Sequence, residues 1–375
     1  MNILIFSVSI GNGHDQVAHT LRNEIIHANN KARVKIINTI NFISPLLDKV
    51  ILDSYMNILK FYPKAWGMLY EKTNKLDPVI DVNEIANRLM TSRLQKSIIN
   101  FNPDAIICTH SFPSAIISRL KQKKLPNYPL LTVITDYNIH SSYINDGTDK
   151  YVIAHENLIH AMESYGVNSS RVLPFGIPIK HEFSMPLDRK DIIKKQHLED
   201  KRTILVMGGG LGLGDINNIV KELDSRLDNI QIIAVAGRNH RLELKLKSMV
   251  TRNKFVVYGF VSNIHELMEI SDCMISKPGG VTTAEILCKQ KPLIIFSPLP
   301  GQEYENTEYL MNSGVAVSTS ETKKIPMLIN HILNDEIRIK CMKELIGGLR
   351  KPYAASDVVR YIIDNYSSNK NMSTY

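Results

Sequence analysis

The feature that most restricts the fold is a succession of short, largely apolar runs, each followed by a loop and then a helical pattern. In the first half the runs are Asn2–Val8, Val34–Ile37, Ala105–Cys108 and Leu130–Thr135. Strands that are apolar throughout, rather than on alternate residues, bury both faces and belong to a parallel sheet covered by helices on each side. Asp15–Ala28 has the apolar spacing of one such helix. Residues 45–100 form a mostly helical, aromatic-rich stretch, and the charged segment Asp188–Arg202 separates the halves. The alternation then restarts with Thr203–Met207, Gln231–Ala236, Lys254–Tyr258, Asp272–Ser276 and Pro292–Ser297, and residues 353–366 form a last helix. The expectation is an α/β chain of two Rossmann-like halves in tandem, for which 375 residues is a suitable length. Ligands of such sheets bind beyond the carboxyl ends of the strands.

Composition removes several function classes. At 44% hydrophobic and 22% charged residues, the chain is globular rather than disordered. No apolar run approaches the ~18 residues that suggest a membrane-spanning helix. The opening MNILIFSVSIGNGH lacks a basic region and a cleavage site, so it reads as a first strand, and a cytoplasmic location is expected. The formal charge of +8 is shared evenly by the two halves, without a basic arm or a recognised module, so nucleic acid is not an expected partner. Cys108, Cys273, Cys288 and Cys341 lie far apart with no zinc spacing and read as buried, reduced thiols.

Two glycine loops follow strands and open helices: Ser9-Ile10-Gly11-Asn12-Gly13-His14, and Gly208-Gly209-Gly210-Leu211-Gly212-Leu213-Gly214. Such loops let backbone N–H groups approach a phosphate at a helix N-terminus. Neither fits G-x-G-x-x-G, and the P-loop spacing from Gly209 to Gly214 fails because Asp215 stands where lysine is required. Lys277-Pro278-Gly279-Gly280-Val281-Thr282 makes a third loop of the same kind. Two phosphate-compatible turns in the C-terminal half point to a diphosphate ligand there, although a glycine loop also serves as a plain tight turn.

Glu285 lies one turn into the helix after Gly279-Gly280, a position suited to ribose hydroxyls and equally to a solvated helix face. In Pro300-Gly301-Gln302-Glu303-Tyr304-Glu305-Asn306, amide and acid side chains gather at a strand end, which suits a sugar or, more plainly, a helix cap. In the first half His14, His110, Asp136 and His140 all sit at carboxyl ends of strands, where catalytic groups of such sheets collect. No D-x-D occurs, so no carboxylate pair for a metal–diphosphate is visible, and backbone N–H groups and basic side chains are expected to meet leaving-group charge.

SVSIGNGH, CTHSFP, VITDYNIH, GIPI, VMGGGLGLG, GRN, KPGGVTTAE and PGQEYEN stand in the order found in processive diacylglycerol glucosyltransferases and monogalactosyldiacylglycerol synthases. The resemblance runs from residue 3 to about residue 350. It implies a GT-B fold, in which two Rossmann-like domains face a central cleft and the last helix crosses back to the first domain. Residues 1–185, with 350–375 returning to them, would form the acceptor and membrane-side domain, and 186–349 the UDP-sugar domain. His14 resembles the family's histidine in the acceptor cleft, and Asp136 the aspartate opposite it. Gly208, Gly209, Gly210, Gly212, Gly279 and Gly280, with Thr282, would hold the nucleotide diphosphate, and Gly11 and Gly13 belong to the first such turn. Gly237, Arg238, Asn239, Phe260 and Val261 resemble the wall beside the base. Glu285 resembles the ribose carboxylate, and Gln302, Glu303 and Asn306 the donor-sugar contacts. Three positions depart from the pattern: Tyr143 replaces a tryptophan, Ser111 a common proline, and Asp15-Gln16-Val17 is atypical after the first histidine.

The function implied is inverting transfer of a hexose, glucose favoured, from a UDP-sugar to 1,2-diacylglycerol, with no metal and no further cofactor. Galactosyl transfer, a nucleotide-sugar epimerase and a non-catalytic UDP-sugar sensor are the alternatives. Residues 55–75 interleave Tyr55, Phe61, Tyr62, Trp66, Leu69 and Tyr70 with Lys60, Lys64, Lys72 and Lys75, which suits an anionic membrane surface or, equally, packed helices. A peripheral place on the inner face of the cell membrane is expected.

Overall fold

The computed structural model describes residues 1–9, 12–45, 58, 62–75 and 84–367. Two units divide the chain. The first takes Met1–Lys180, Pro300–Gln302 and the residues from Tyr353 on; the second takes His181–Leu299 and Glu303–Pro352.

In the first unit the elements run β1 (Asn2–Ser7), α1 (Gly13–Ala28), β2 (Arg33–Asn38), α2 (Thr39–Ile43), α3 (Pro63–Lys75), α4 (Glu84–Phe101), β3 (Ala105–Cys108), α5 (Ser111–Lys123), β4 (Leu130–Val133), β5 (Lys150–Val152), α6 (Ile159–Ser164) and β6 (Val172–Leu173). All strands are parallel, in the order β2-β1-β3-β4-β5-β6. Ile3, Leu4, Ile5 and Phe6 have no solvent exposure, which is why this run carries no polar alternation. Val17, Leu21 and Ile25 repeat every four residues and form the buried stripe of α1. From β1 the chain moves to β2 on one side, while β3 pairs on the other. The carboxyl ends of β1 and β3 therefore bracket the switch point, where sheets of this kind open a ligand crevice.

In the second unit the order of elements is α7 (Arg189–Lys195), β7 (Arg202–Met207), α8 (Ile216–Arg226), β8 (Ile230–Val235), α9 (His240–Lys247), β9 (Lys254–Tyr258), α10 (Ile264–Ile270), β10 (Cys273–Ser276), α11 (Gly280–Cys288), β11 (Leu293–Phe296), α12 (Gln302–Asn312), β12 (Ala316–Thr319), α13 (Ile325–Leu333) and α14 (Glu336–Leu349). This sheet is also wholly parallel, ordered β12-β11-β10-β7-β8-β9, with its switch point between β7 and β10. Two of the three glycine loops leave those two strands. A last helix, α15 (Ala354–Tyr366), belongs to the first unit, packs on α1, and buries Val358, Val359 and Ile362.

The two architectures are GT-B-like halves, as expected. Three strands were not read from the sequence: β5 and β6 are only three and two residues long, and β12 mixes apolar and polar residues. The charged segment 188–202 is integral to the second unit. Asp188 caps α7, and Arg189 donates to the carbonyls of Ile270 and Lys201 and pairs with Asp200. Cys108, Cys273 and Cys288 are buried, whereas Cys341 is exposed on α14, contrary to expectation.

Candidate active site

At the first switch point the side chains are held by backbone groups of neighbouring strand ends. His14, the second residue of α1, places Nδ1 2.8 Å from the Thr109 carbonyl oxygen and 3.1 Å from the Thr135 hydroxyl. A carbonyl only accepts, so Nδ1 carries the proton and Nε2 keeps the lone pair of the neutral ring. Burial holds His14 below the usual histidine value, against the opposing pull of Asp136, the Thr109 carbonyl and Asp15. Neutral imidazole with a fixed tautomer is the form a general base requires.

His110 meets the His14 ring edge-on, with centroids 4.5 Å apart. Its Nδ1 accepts from the Phe112 amide, capping α5 just ahead of Ser111, and burial with the nearby His14 keeps it well below its ordinary value. His140 accepts from the Ser142 amide through Nδ1 and lies 3.2 Å from the Tyr70 carbonyl through Nε2. It is lowered by burial, and the Tyr70 carbonyl and Asp136 oppose this. These two histidines are braces, with both ring nitrogens of His140 and one of His110 committed to the backbone. Asp136 follows β4 and acts electrostatically on His14, His140 and Tyr143. Tyr143 is buried, which raises its phenol, and it bonds to Thr135, so at this position the ring supports the strand end. The atypical Asp15 accepts from Ser7 and Ser9, each at 2.5 Å, and Asn38 donates to Ser9 at 2.6 Å, tying down the start of the first loop. Gly13 opens α1, while Gly11 lies outside the described residues.

At the second switch point the Gly208–Gly214 loop packs on the turn after β8. The Gly210 carbonyl accepts from the Arg238 amide at 3.0 Å, and the Gly212 carbonyl accepts from the Asn239 side chain at 3.1 Å. Gly212, at φ +59°, leaves no room for a side chain, because a Cβ would fall 2.0 Å from the Ala236 carbonyl oxygen. Gly208 is likewise closed in by its own loop. Around Gly209 and Gly279, by contrast, nothing among the described residues beyond the chain neighbours lies within 4 Å of the point a Cβ would occupy, which leaves their backbone open on that side. Gly279 is the N-cap of α11 and Gly280 its first residue, with Thr282 partly buried in the same turn.

Phe260 is 61% exposed and carries the Arg238 guanidinium 5.3 Å from its ring centroid. An aromatic left in solvent beside Val261 and under a cation offers a stacking face. Glu285 is buried in α11. Gln302 opens α12, Glu303 accepts from the Leu299 amide at 2.6 Å, and the fully buried Asn306 donates to the Pro278 carbonyl at 3.0 Å. Asn306 thereby braces the loop that ends in Gly279-Gly280.

Motif reading gave no role to Thr109 or Thr135, yet both meet Nδ1 of His14. Thr109 acts through its carbonyl, which no sequence pattern reports. Lys277 follows β10 directly, at the start of the third glycine loop. Among the described residues no cluster of three or more His, Cys, Asp or Glu side chains is placed to hold a metal ion.

The monogalactosyldiacylglycerol (MGDG) synthase family model matches residues 14–179, and the glycosyltransferase family 28 C-terminal domain matches residues 203–342. The first half of the chain is thus similar to MGDG synthases and the second to the C-terminal domain of family 28 glycosyltransferases. The chain is 29% identical to the processive diacylglycerol beta-glucosyltransferase of Bacillus cytotoxicus, over 98% of the chain and 95% of the relative. It is also 29% identical to the enzyme of that name from Bacillus pumilus, over 100% and 97%. Among solved structures, an S. aureus MnaA–UDP complex aligns at a TM-score of 0.64 and 15% identity, covering 96% of each chain. Acinetobacter baumannii MurG aligns at 0.59 and 14%, covering 97% of this chain and 99% of MurG. At such identities these two report the fold.

Proposed function

We propose that the protein transfers glucose from UDP-glucose to 1,2-diacylglycerol with inversion at the anomeric carbon. The observation that carries this reading is the His14 ring, neutral and anchored at Nδ1 by Thr109, with Nε2 as the base. Nε2 takes the proton of the acceptor hydroxyl while that oxygen attacks C1, and UDP departs from the opposite face. Asp136 steadies the imidazolium that results, and its charge already favours the protonated ring. In the second unit Phe260 and Arg238 take the uracil, Gly209 and the start of α11 take the diphosphate, and Glu285 and Glu303 take the ribose and hexose. The names of the full-length relatives support glucose and diacylglycerol as the substrate pair. Mass spectrometry of products made with UDP-glucose and with UDP-galactose tests the reading. Glucosyldiacylglycerol is expected, while a galactolipid alone would move the assignment to MGDG synthesis, and no lipid product would overturn it.

No helix among the described residues is long and apolar enough to cross a membrane. The acceptor is then met at a membrane surface through α3 and its surroundings. Tyr62 and Met68 are 68% and 62% exposed, and Lys64 and Lys72 are also exposed. Exposed apolar side chains beside lysines suit an anionic interface. Tyr55, Lys60 and Phe61, with the side chains of Trp66, Leu69 and Lys75, lie outside the described residues. Replacing Lys64 and Lys72 by Glu is expected to reduce sedimentation with anionic vesicles and to leave UDP affinity unchanged. Undiminished sedimentation would remove this contact.

A further inference from the structure

Lys277 is a largely buried lysine of the second unit whose charge is only loosely paired. Its side chain is only 12% exposed, and its ammonium group has no hydrogen bond among the described residues. The nearest carboxylate is Glu303, at 3.8 Å, and the same Glu303 oxygen already accepts from the Leu299 amide at 2.6 Å. Burial draws Lys277 below its ordinary value, and Glu303 restores only part of that. A largely buried, loosely paired cation is costly unless a second anion meets it.

The surroundings show where that anion would sit. Lys277 follows the last residue of β10, at the switch point with β7. Among the described residues, chain neighbours aside, its Cε is the one atom within 4 Å of the position a side chain on Gly214 would occupy, so it borders the open side of the glycine loop. Two residues later come Gly279, open on its own side, and the N-terminus of α11. Asn306 holds the intervening Pro278 carbonyl, so the lysine stands on a braced loop. Two loops with open glycine backbone, a helix N-terminus and one under-compensated ammonium group converge on the same strand ends.

We propose that Lys277 is a catalytic residue that contacts the diphosphate of the nucleotide donor and neutralises the charge developing there as the bond to the sugar breaks. The inference rests on the donor reading given above. The electron pair of the C1–O bond passes to the β-phosphate oxygen, and the ammonium group meets that charge without transferring a proton. Glu303, relieved of its share in Lys277, becomes available to hexose hydroxyls.

Titration calorimetry with uridine and UDP isolates the contact, because only UDP presents phosphate. Lys277→Met is expected to lower UDP affinity about 10- to 100-fold, the range of a charged hydrogen bond, and to leave uridine affinity unchanged. Lys277→Arg is expected to recover most of the loss, and kcat is expected to fall further than UDP affinity in the Met variant. A second arm needs no variant. In the wild-type protein the advantage of UDP over uridine is expected to shrink as pH rises through the lowered lysine pKa, since the cation exists only below it. A Lys277→Met protein that binds both ligands as the wild type does, or a UDP advantage that does not shrink as pH rises into the alkaline range, would overturn the proposal. Failure of the wild-type protein to bind UDP at all would instead overturn the donor reading.

Discussion

His14 owes its role to two atoms of other residues. Were the Thr109 carbonyl absent, the ring could carry its proton on either nitrogen, and the molecules protonated at Nε2 would present no lone pair to an acceptor. His14→Ala is expected to lower kcat by ~10²–10⁴, the usual share of general-base catalysis, with UDP affinity nearly intact. Greater damage from Asp136→Asn than from His14→Ala would shift the base to Asp136. The sign of the pH dependence follows from burial. Because the folded pKa is held below 6.5, the neutral base persists above that lowered value, and kcat/KM is expected to fall only as pH drops through it. A profile whose acid limb lies above 6.5 would contradict a desolvated base. At Phe260 the exposed ring contributes little to the fold, so Phe260→Ala is expected to leave the melting temperature alone. Base stacking is worth ~1–3 kcal/mol, so uridine and UDP should weaken equally, unlike the Lys277 variant. Equal affinity for wild type and variant would place the uracil elsewhere.

At the scale of elements, histidine has a structural use that motif reading does not separate from a catalytic one. His110 caps α5, and His140 caps the turn at Ser141–Tyr143, each through an unprotonated Nδ1. Both titrate below the usual histidine value in the folded chain, whereas the unfolded chain binds protons from about 6.5 downward. Stability from these residues is therefore complete above ~6.5 and declines as pH falls below it. Thermal unfolding of the first unit is expected to come earlier at pH 5 than at pH 7.5, and His110→Asn, which keeps a capping acceptor, should lessen that difference. An unchanged difference would mean other groups govern acid stability. The apolar runs made β1, β3, β4 and β7 to β11 legible, because a strand buried on both faces has few polar choices. β5 and β6, of three and two residues, are too short to display a pattern, and β12, Ala316-Val317-Ser318-Thr319, mixes apolar and polar residues. The glycine loops were legible as loops, yet their division of labour was not: Gly212 exists for the Ala236 carbonyl and Gly209 for open space. Asn306 shows the same limit, since an amide that suits a sugar suits the Pro278 carbonyl as well.

For the molecule as a whole, the placing of α15 in the first unit decides how the chain comes apart. Its buried Val358, Val359 and Ile362 each contribute about 1.5–3 kcal/mol relative to exposure, so several kcal/mol of the first unit depend on it. Deleting residues 353–375 is expected to lower the melting transition of the first unit while the second still binds UDP. Loss of UDP binding on truncation would show that the second unit also depends on this helix. The same placement acts on the chain as it is made. The ribosome delivers α1 first and α15 more than three hundred residues later, which at ~5–20 residues per second is a delay of roughly 15–65 s. Throughout that interval the nascent first unit lacks its last cover, whereas the second closes within its own stretch of sequence. A late stop codon or a stalled ribosome would thus harm the earliest-made half, and a chaperone that shields apolar helix faces would find its work at the beginning of the message rather than at the end.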